Sequence, residues 1–207
     1  MLLAFNKPYG VICQFSPSGD KRTLKNYIAT KDIYPAGRLD TDSEGLMLLT
    51  DDGILQARLT DPESKLTKTY WAEVEGQATN ASLASLLGSL DLGDFITSPA
   101  LRVEVIATPQ IWPRDPPVRF RANIPTSWIS ITITEGKNRQ VRRMTAKVGF
   151  PTLRLIRVAI GTLDLIQLVL ASGKSVEISQ LDMGLGIARR RRKPKTKVNP
   201  TEYEKKQ

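Results

Sequence analysis

Three carboxylates fall within five positions in Asp40-Thr41-Asp42-Ser43-Glu44, inside the run Gly37-Arg38-Leu39-Asp40 to Gly45 and directly ahead of the apolar stretch Leu46-Met47-Leu48-Leu49-Thr50. A carboxylate can act as a nucleophile, a general base or a ligand for a hard cation. On a polar loop that leads into a buried strand, such side chains project from a rigid edge. Two metal readings fit these residues poorly. Asp40, Asp42, Glu44 and Gly45 match positions 1, 3, 5 and 6 of an EF-hand loop, but position 12 is Asp51 instead of the bidentate glutamate. Pro35-Ala36-Gly37 also stands where a helix should precede. A phosphotransfer enzyme using Asp40 as nucleophile and Asp42 for magnesium would want an apolar strand before Asp40, where Ala36-Gly37-Arg38-Leu39 stands. Taken alone, the acids are most simply read as capping and solvating a turn.

The rest of the composition narrows the chemistry. The 207 residues contain no histidine, so there can be no Ser-His-Asp or Cys-His nucleophile and no His-ligated zinc or haem. Cys13 is the sole cysteine, which excludes an internal disulfide and a cysteine metal cluster. Reactivity must rest on carboxylate, lysine, arginine, tyrosine, serine or threonine.

A second cluster is cationic. Glu135-Gly136-Lys137-Asn138-Arg139-Gln140-Val141-Arg142-Arg143-Met144 begins where a strand-like run ends. Helical periodicity puts Val141, Met144 and Val148 on one apolar face, with Arg139, Arg142 and Arg143 off it. From Glu135 to Arg157 there are seven Lys/Arg and one acid. Arginines in a first helical turn face the positive end of the macrodipole. Cations placed against that preference suggest that an anion is held there. Net charge is +9, and nine Lys/Arg against two Glu in residues 189–207 account for most of it. That tail suits nucleic acid or an acidic surface, and equally a solubilising terminus.

The elements that must position these groups follow from pattern. Residues 2–5 and 11–15 read as short strands around the Asn6-Lys7-Pro8-Tyr9-Gly10 turn, and Thr23–Ala29 as a short helix. Leu46–Thr50 is a strand ended by Asp51-Asp52-Gly53, and Ile54–Leu59 one or two helical turns. Thr67–Glu75, Leu101–Ile106 and Trp128–Thr134 alternate as strands, and Val158–Leu165 and Ser175–Ser179 read as late ones. Asn80 should cap a helix to Leu87, and Asn138 one to Val148. Five prolines in residues 107–126 predict an extended loop. Many strands with few short helices predict an α+β fold with a largely antiparallel sheet. No signal peptide and no apolar stretch approaching the roughly 18 residues needed to span a bilayer is visible, which predicts a cytoplasmic protein.

Gly37-Arg38-Leu39-Asp40-x-x-Ser43-Glu44-Gly45-Leu46-x-Leu48-Leu49-Thr50-x-x-Gly53 resembles the central motif of RNA pseudouridine synthases, in the branch that acts on ribosomal RNA. Lys7-Pro8-x-Gly10, Lys68-Thr69-Tyr70, the Gly136-Lys137-Asn138-Arg139-Gln140 segment and Leu153-Arg154-Leu155-Ile156-Arg157 with Ile160-Gly161 resemble its other motifs. Arg139 stands where many members have histidine. The proline-rich run Ile111 to Pro117 resembles the large-subunit (23S) type. The resemblance implies a catalytic domain over residues 1–188, a mixed, mainly antiparallel sheet in two lobes with short helices, no N-terminal S4 module, and a basic tail over 189–207 with too little apolar content to fold alone.

It further implies roles. Asp40 is the catalytic carboxylate, as nucleophile or general base; Tyr70 stacks on the target base; Leu155 closes the base pocket. Arg142 pairs with Asp40, because an acid in a dry pocket stays ionised only beside a cation. Lys7, Arg38, Lys68, Arg139, Arg143, Arg154 and Arg157 are expected to bind RNA, mostly through phosphates, which position without reading sequence. No metal or other cofactor is expected, the partner is ribosomal RNA, and the chain acts as a monomer. The rival reading is a ribosomal-RNA-binding or assembly protein that keeps the fold without the chemistry. A metal-dependent phosphoesterase would be stopped by a chelator.

Overall fold

Period-two alternation builds the centre of the molecule. In Lys68–Glu75 the side chains of Tyr70, Ala72 and Val74 are buried and those between them half-buried. The computed structural model describes residues 1–119, 123–180 and 182. In chain order its strands and α-helices are β1 (Leu2–Lys7), β2 (Tyr34–Pro35), β3 (Glu44–Thr50), α1 (Gly53–Thr60), β4 (Lys68–Glu75), β5 (Arg102–Ile106), β6 (Thr126–Ile133), α2 (Gln140–Lys147), β7 (Thr152–Ile160), β8 (Leu163–Asp164) and β9 (Ser175–Glu177).

The strands form one sheet in the order β5-β6-β4-β7-β3-β1-β9, with β2 added to β3 and β8 to β7. Every pairing is antiparallel except β3 with β7. That parallel step joins only Glu44 to Ile156 and Gly45 to Arg157. The sheet is therefore two antiparallel halves welded at a short seam, which gives the two-lobed, mainly antiparallel α+β architecture expected from the sequence. Gly45 makes the seam possible. Its φ is +102°, and a Cβ there would lie 2.3 Å from the Arg157 carbonyl oxygen.

β1 and β3 are buried along their whole length, because both faces of the sheet are covered. On one face Phe5, Met47, Tyr70 and Leu155 pack with Val141 and Met144 of α2. On the other, Ala4, Leu46 and Leu48 pack with Leu55 and Leu59 of α1. α1 starts at Asp52, whose carboxylate accepts from the amides of Ile54 and Leu55.

Several expected elements differ. Residues 11–15 make only the single bridge Ile12–Thr23; Val11 and Cys13 reach the core, but both edges of β1 are already occupied by β3 and β9. The helix expected at Thr23–Ala29 is one 3-10 turn, Leu24–Asn26. The one expected from Asn80 shortens to a 3-10 turn at Ala84–Leu87, because Asn80 Oδ1 instead accepts from Val105 N on β5. α2 is led in by Arg139 in a left-handed conformation, φ 48°, not by an Asn138 cap. β7 starts at Thr152, six residues before the strand read from the sequence; Arg154 and Arg157 hide its apolar pattern. Residues 107–119 form the predicted proline-rich loop. The basic tail over 189–207 lies outside the described residues. Among the described residues no helix is long and apolar enough to cross a membrane.

Candidate active site

The acid-rich segment becomes a loop between β2 and β3, and its backbone is fastened from four directions. Cys13 Sγ donates to the Leu39 carbonyl at 3.1 Å, and Leu39 N–H points back at the same sulfur at 3.4 Å. Gly10 N–H donates to the Thr41 carbonyl at 2.8 Å, and Lys7 Nζ lies 3.4 Å from that oxygen. Arg142 Nη2 donates to the Asp42 carbonyl at 2.6 Å. Asp40 itself closes a turn through its carbonyl and Ser43 N–H at 3.0 Å. The Lys7-Pro8-Tyr9-Gly10 turn thus serves the loop: Gly10 has φ +76°, the left-handed conformation that brings its amide round to Thr41.

The carboxylate of Asp40 is 36% exposed and lines a cavity of about 60 Å³ together with Tyr70, Leu155, Arg139 and Val141. Tyr70 and Leu155 come from β4 and β7. Leu155 pairs with Ala72, two residues from Tyr70, so alternation turns both side chains to the same face. Asp40 also lines an adjoining open cleft with Tyr9, Gln14, Arg38 and Arg139.

The expected Arg142–Asp40 pair needs correction. Arg139 makes two parallel hydrogen bonds to the Asp42 carboxylate, both 2.8 Å, and its Nη1 is 3.9 Å from Asp40 Oδ2. Arg142 is anchored by the carbonyls of Thr152 and Asp42, and its Nε stands 3.5 Å from Asp42 Oδ2. Asp42, not Asp40, therefore holds both arginines; Asp40 feels them as nearby charge. Burial alone would raise the Asp42 pKa, but the Arg139 hydrogen bonds and the charge of Arg142 outweigh it and hold the carboxyl below its usual value. The sequence shows Asp42 without disclosing this role. A left-handed residue ahead of α2 is what swings Arg139 onto it.

The expected RNA-binding residues separate by exposure. Arg38 is exposed and borders both the cleft and the Asp40 cavity. Arg139 is 44% exposed. Arg143 is engaged with the Asp94 carboxylate and lies over the Phe95 ring. Lys68 is half-buried, with Nζ bonded to the Leu66 and Thr134 carbonyls. Two of them lie in the interior. Lys7 has 0% exposure, and Arg154 has 6% and forms a two-bonded pair with Glu44. Arg154 is adjacent to Leu155 on β7, so alternation sends it to the opposite face, where Trp112 Nε1 also donates to Glu44. Neither Lys7 nor Arg154 lines the cleft or the cavities that border Asp40 and Tyr70. Arg157 is buried as well, yet it borders a second cavity beside Tyr70.

Comparison with known proteins adds an independent line. A family model described as RNA pseudouridylate synthase matches residues 1–147. A ribosomal large subunit pseudouridine synthase E from Vibrio parahaemolyticus serotype O3:K6 is 55% identical over 177 residues, 86% of this chain and 74% of that one. A protein of the same name from Xanthomonas axonopodis pv. citri is 56% identical over 163 residues, 78% of this chain and 86% of its own. A solved pseudouridylate synthase superposes with a TM-score of 0.71 at 26% identity, over 88% of this chain and 72% of that one.

Proposed function

The chain belongs to the RNA pseudouridylate synthase family, and from that we propose that it isomerises a uridine of large-subunit ribosomal RNA to pseudouridine, with Asp40 as its catalytic carboxylate. The single observation that carries the assignment of the site is the meeting of Asp40, Tyr70 and Leu155 around one cavity from three separate segments. The substrate follows from relatives more than half identical that are named for the large ribosomal subunit.

The reaction breaks the bond from ribose C1′ to uracil N1 and forms one from C1′ to C5. The proton on C5 is lost and N1 gains one, so no net water and no redox change is involved. The target base must leave its stack, at a cost of a few kcal/mol. Tyr70 offers the ring on which it stacks, Leu155 excludes water behind it, and Asp40 serves as nucleophile or general base. Arg142 and Arg139 act on Asp40 through Asp42: they fix the loop and set a positive field beside the reacting carboxylate. Arg38 and Arg139, exposed at the rim, take phosphates of the strand. The basic residues of 189–207 add sequence-independent attraction. The enzyme works as a monomer in the cytoplasm.

The test is conversion of uridine in large-subunit ribosomal RNA by the wild type and by Asp40→Asn, with RNA binding measured alongside. Wild type should convert a defined uridine, and the variant should bind and leave it unchanged. If both proteins bind equally and neither converts any uridine, the chain is an RNA-binding protein instead of an enzyme.

A further inference from the structure

A larger cavity of about 330 Å³ adjoins the first and shares Arg38, Tyr70 and Gly136 with it. That volume is in the range of small-molecule sites. Its floor holds two cations. Lys68 stands two residues before Tyr70 on β4, and Arg157 pairs with Tyr70 across from β7, so all three share a face. Arg157 is 5% exposed; its Nε donates to the Leu46 carbonyl at 2.8 Å, and its Nη2 has no hydrogen-bond partner among the described residues. Neither cation is in an ion pair among the described residues. Burial and then the charge of Arg157 push the Lys68 pKa down. The carboxylates at the rim are engaged elsewhere: Asp61 accepts from Glu63 N, and Glu135 from Ser98 N and Gln140. A buried guanidinium and a neighbouring half-buried ammonium, neither with an ion-pair partner among the described residues, are an incomplete arrangement. The apolar part of the lining is made by Leu48, Leu59, Leu66 and Ile160, the last paired with Lys68 across the strands. A bare inorganic anion would leave that wall unused, whereas a nucleotide uses both surfaces.

We propose that this cavity is a second nucleotide subsite, which receives one nucleotide flanking the target uridine, its phosphate on Lys68 and Arg157 and its base on the Leu59–Leu66–Ile160 wall. The inference rests on the RNA-modifying function above. It adds a place where a neighbouring base is inspected before the target reacts.

The experiment is methyl NMR of the full-length protein titrated with cytidine 5′-monophosphate and, separately, with inorganic phosphate. The nucleotide should shift the Leu59, Leu66 and Ile160 methyls saturably and leave Leu155 in place, with phosphate binding more weakly at the same methyls. Lys68→Met should weaken nucleotide binding about tenfold, flatten the salt dependence of binding to a ribosomal RNA fragment by about one unit of log–log slope, and raise KM more than it lowers kcat. Thr60→Trp, from the exposed end of α1, should fill the cavity and block the nucleotide without touching either cation; it carries the test if Lys68→Met fails to fold. Nucleotide shifts confined to Leu155 and Val141, no shifts at all, or wild-type binding by both variants would overturn the subsite. Uridine conversion by the wild type is read in parallel. Conversion without wall shifts removes the subsite alone, and wall shifts without conversion remove the enzyme assignment alone.

Discussion

Burying an ammonium group is costly even when its protons find carbonyls, and Lys7 shows what that cost supports. Its Nζ donates to the Pro8 carbonyl and reaches Thr41, so it fastens the turn after β1 to the loop that carries Asp40. Burial pushes its pKa from 10.5 down to about 8. For a base whose folded pKa is depressed, the penalty is complete below the folded value and is relieved as pH rises toward the unfolded one. The wild type should therefore gain stability relative to Lys7→Met between pH 8 and 10.5, by roughly 3 kcal/mol. Urea unfolding of the pair across that range checks it; parallel curves would mean that burial leaves the Lys7 pKa at its unfolded value. Asp42 makes the complementary point. The residue beside the reacting carboxylate, two positions on, carries the closer ion pairs, which leaves Asp40 with a single long contact of 3.9 Å to Arg139.

The decisive element is the seam between β3 and β7. Its two residue pairs bring the strand that follows Asp40 against the strand that carries Leu155 and Arg157. At Gly45 any Cβ would meet the Arg157 carbonyl oxygen at 2.3 Å and its nitrogen at 2.8 Å, in a left-handed backbone. Gly45→Ala should lose about 3 kcal/mol or more, or fail to fold. Gly136→Ala is the control, since a Cβ there meets nothing within 4 Å. Chemical denaturation with an unchanged m-value reads both; equal midpoints would show that the seam can open without loss. The seam also explains the late start of the strand expected at Val158. A strand with arginines at positions 154 and 157 looks polar, but one guanidinium is satisfied by Glu44 and the other bonds the Leu46 carbonyl.

At the scale of the whole molecule, two half-sheets hold the site between them, and a buried ion pair ties them together. Glu44 is 1% exposed, doubly bonded to Arg154, and accepts from Trp112 in the proline-rich loop. Glu44→Gln would leave Arg154 buried without its counter-charge, a loss of about 3–5 kcal/mol. Thermal and urea unfolding measure it, and a loss below about 1 kcal/mol would show that the guanidinium finds water instead. The charge of residues 189–207, outside the described residues, is tested at this scale too. Deleting 189–207 removes nine of 30 Lys/Arg and should make RNA binding both weaker and less salt-dependent. The log–log slope should flatten by about 0.7 to 0.9 for each phosphate that the tail neutralises. Unchanged affinity across salt concentrations would confine RNA binding to the folded part.

The sequence by itself determined the chemistry available: no histidine, one cysteine, an acid at position 40 ahead of a buried strand, a tyrosine opening β4 and a cluster of arginines around α2. Type, spacing and period are local properties, and they are enough to place most strands, whereas the resemblance to a family's motifs is what singles out the residues that meet in the cavity. Tertiary structure alone decided the pairings. Arg139 reaches Asp42 across 97 positions and Arg154 reaches Glu44 across 110. Which acid meets which cation depends on a left-handed turn before α2 and on a two-pair seam between half-sheets. A charge is written in the chain, but its partner and its burial are set by the elements that fold around it. For that reason Lys7 and Arg154, which look like RNA contacts, belong to the scaffold, and Asp42, which looks like a turn residue, holds the site in register.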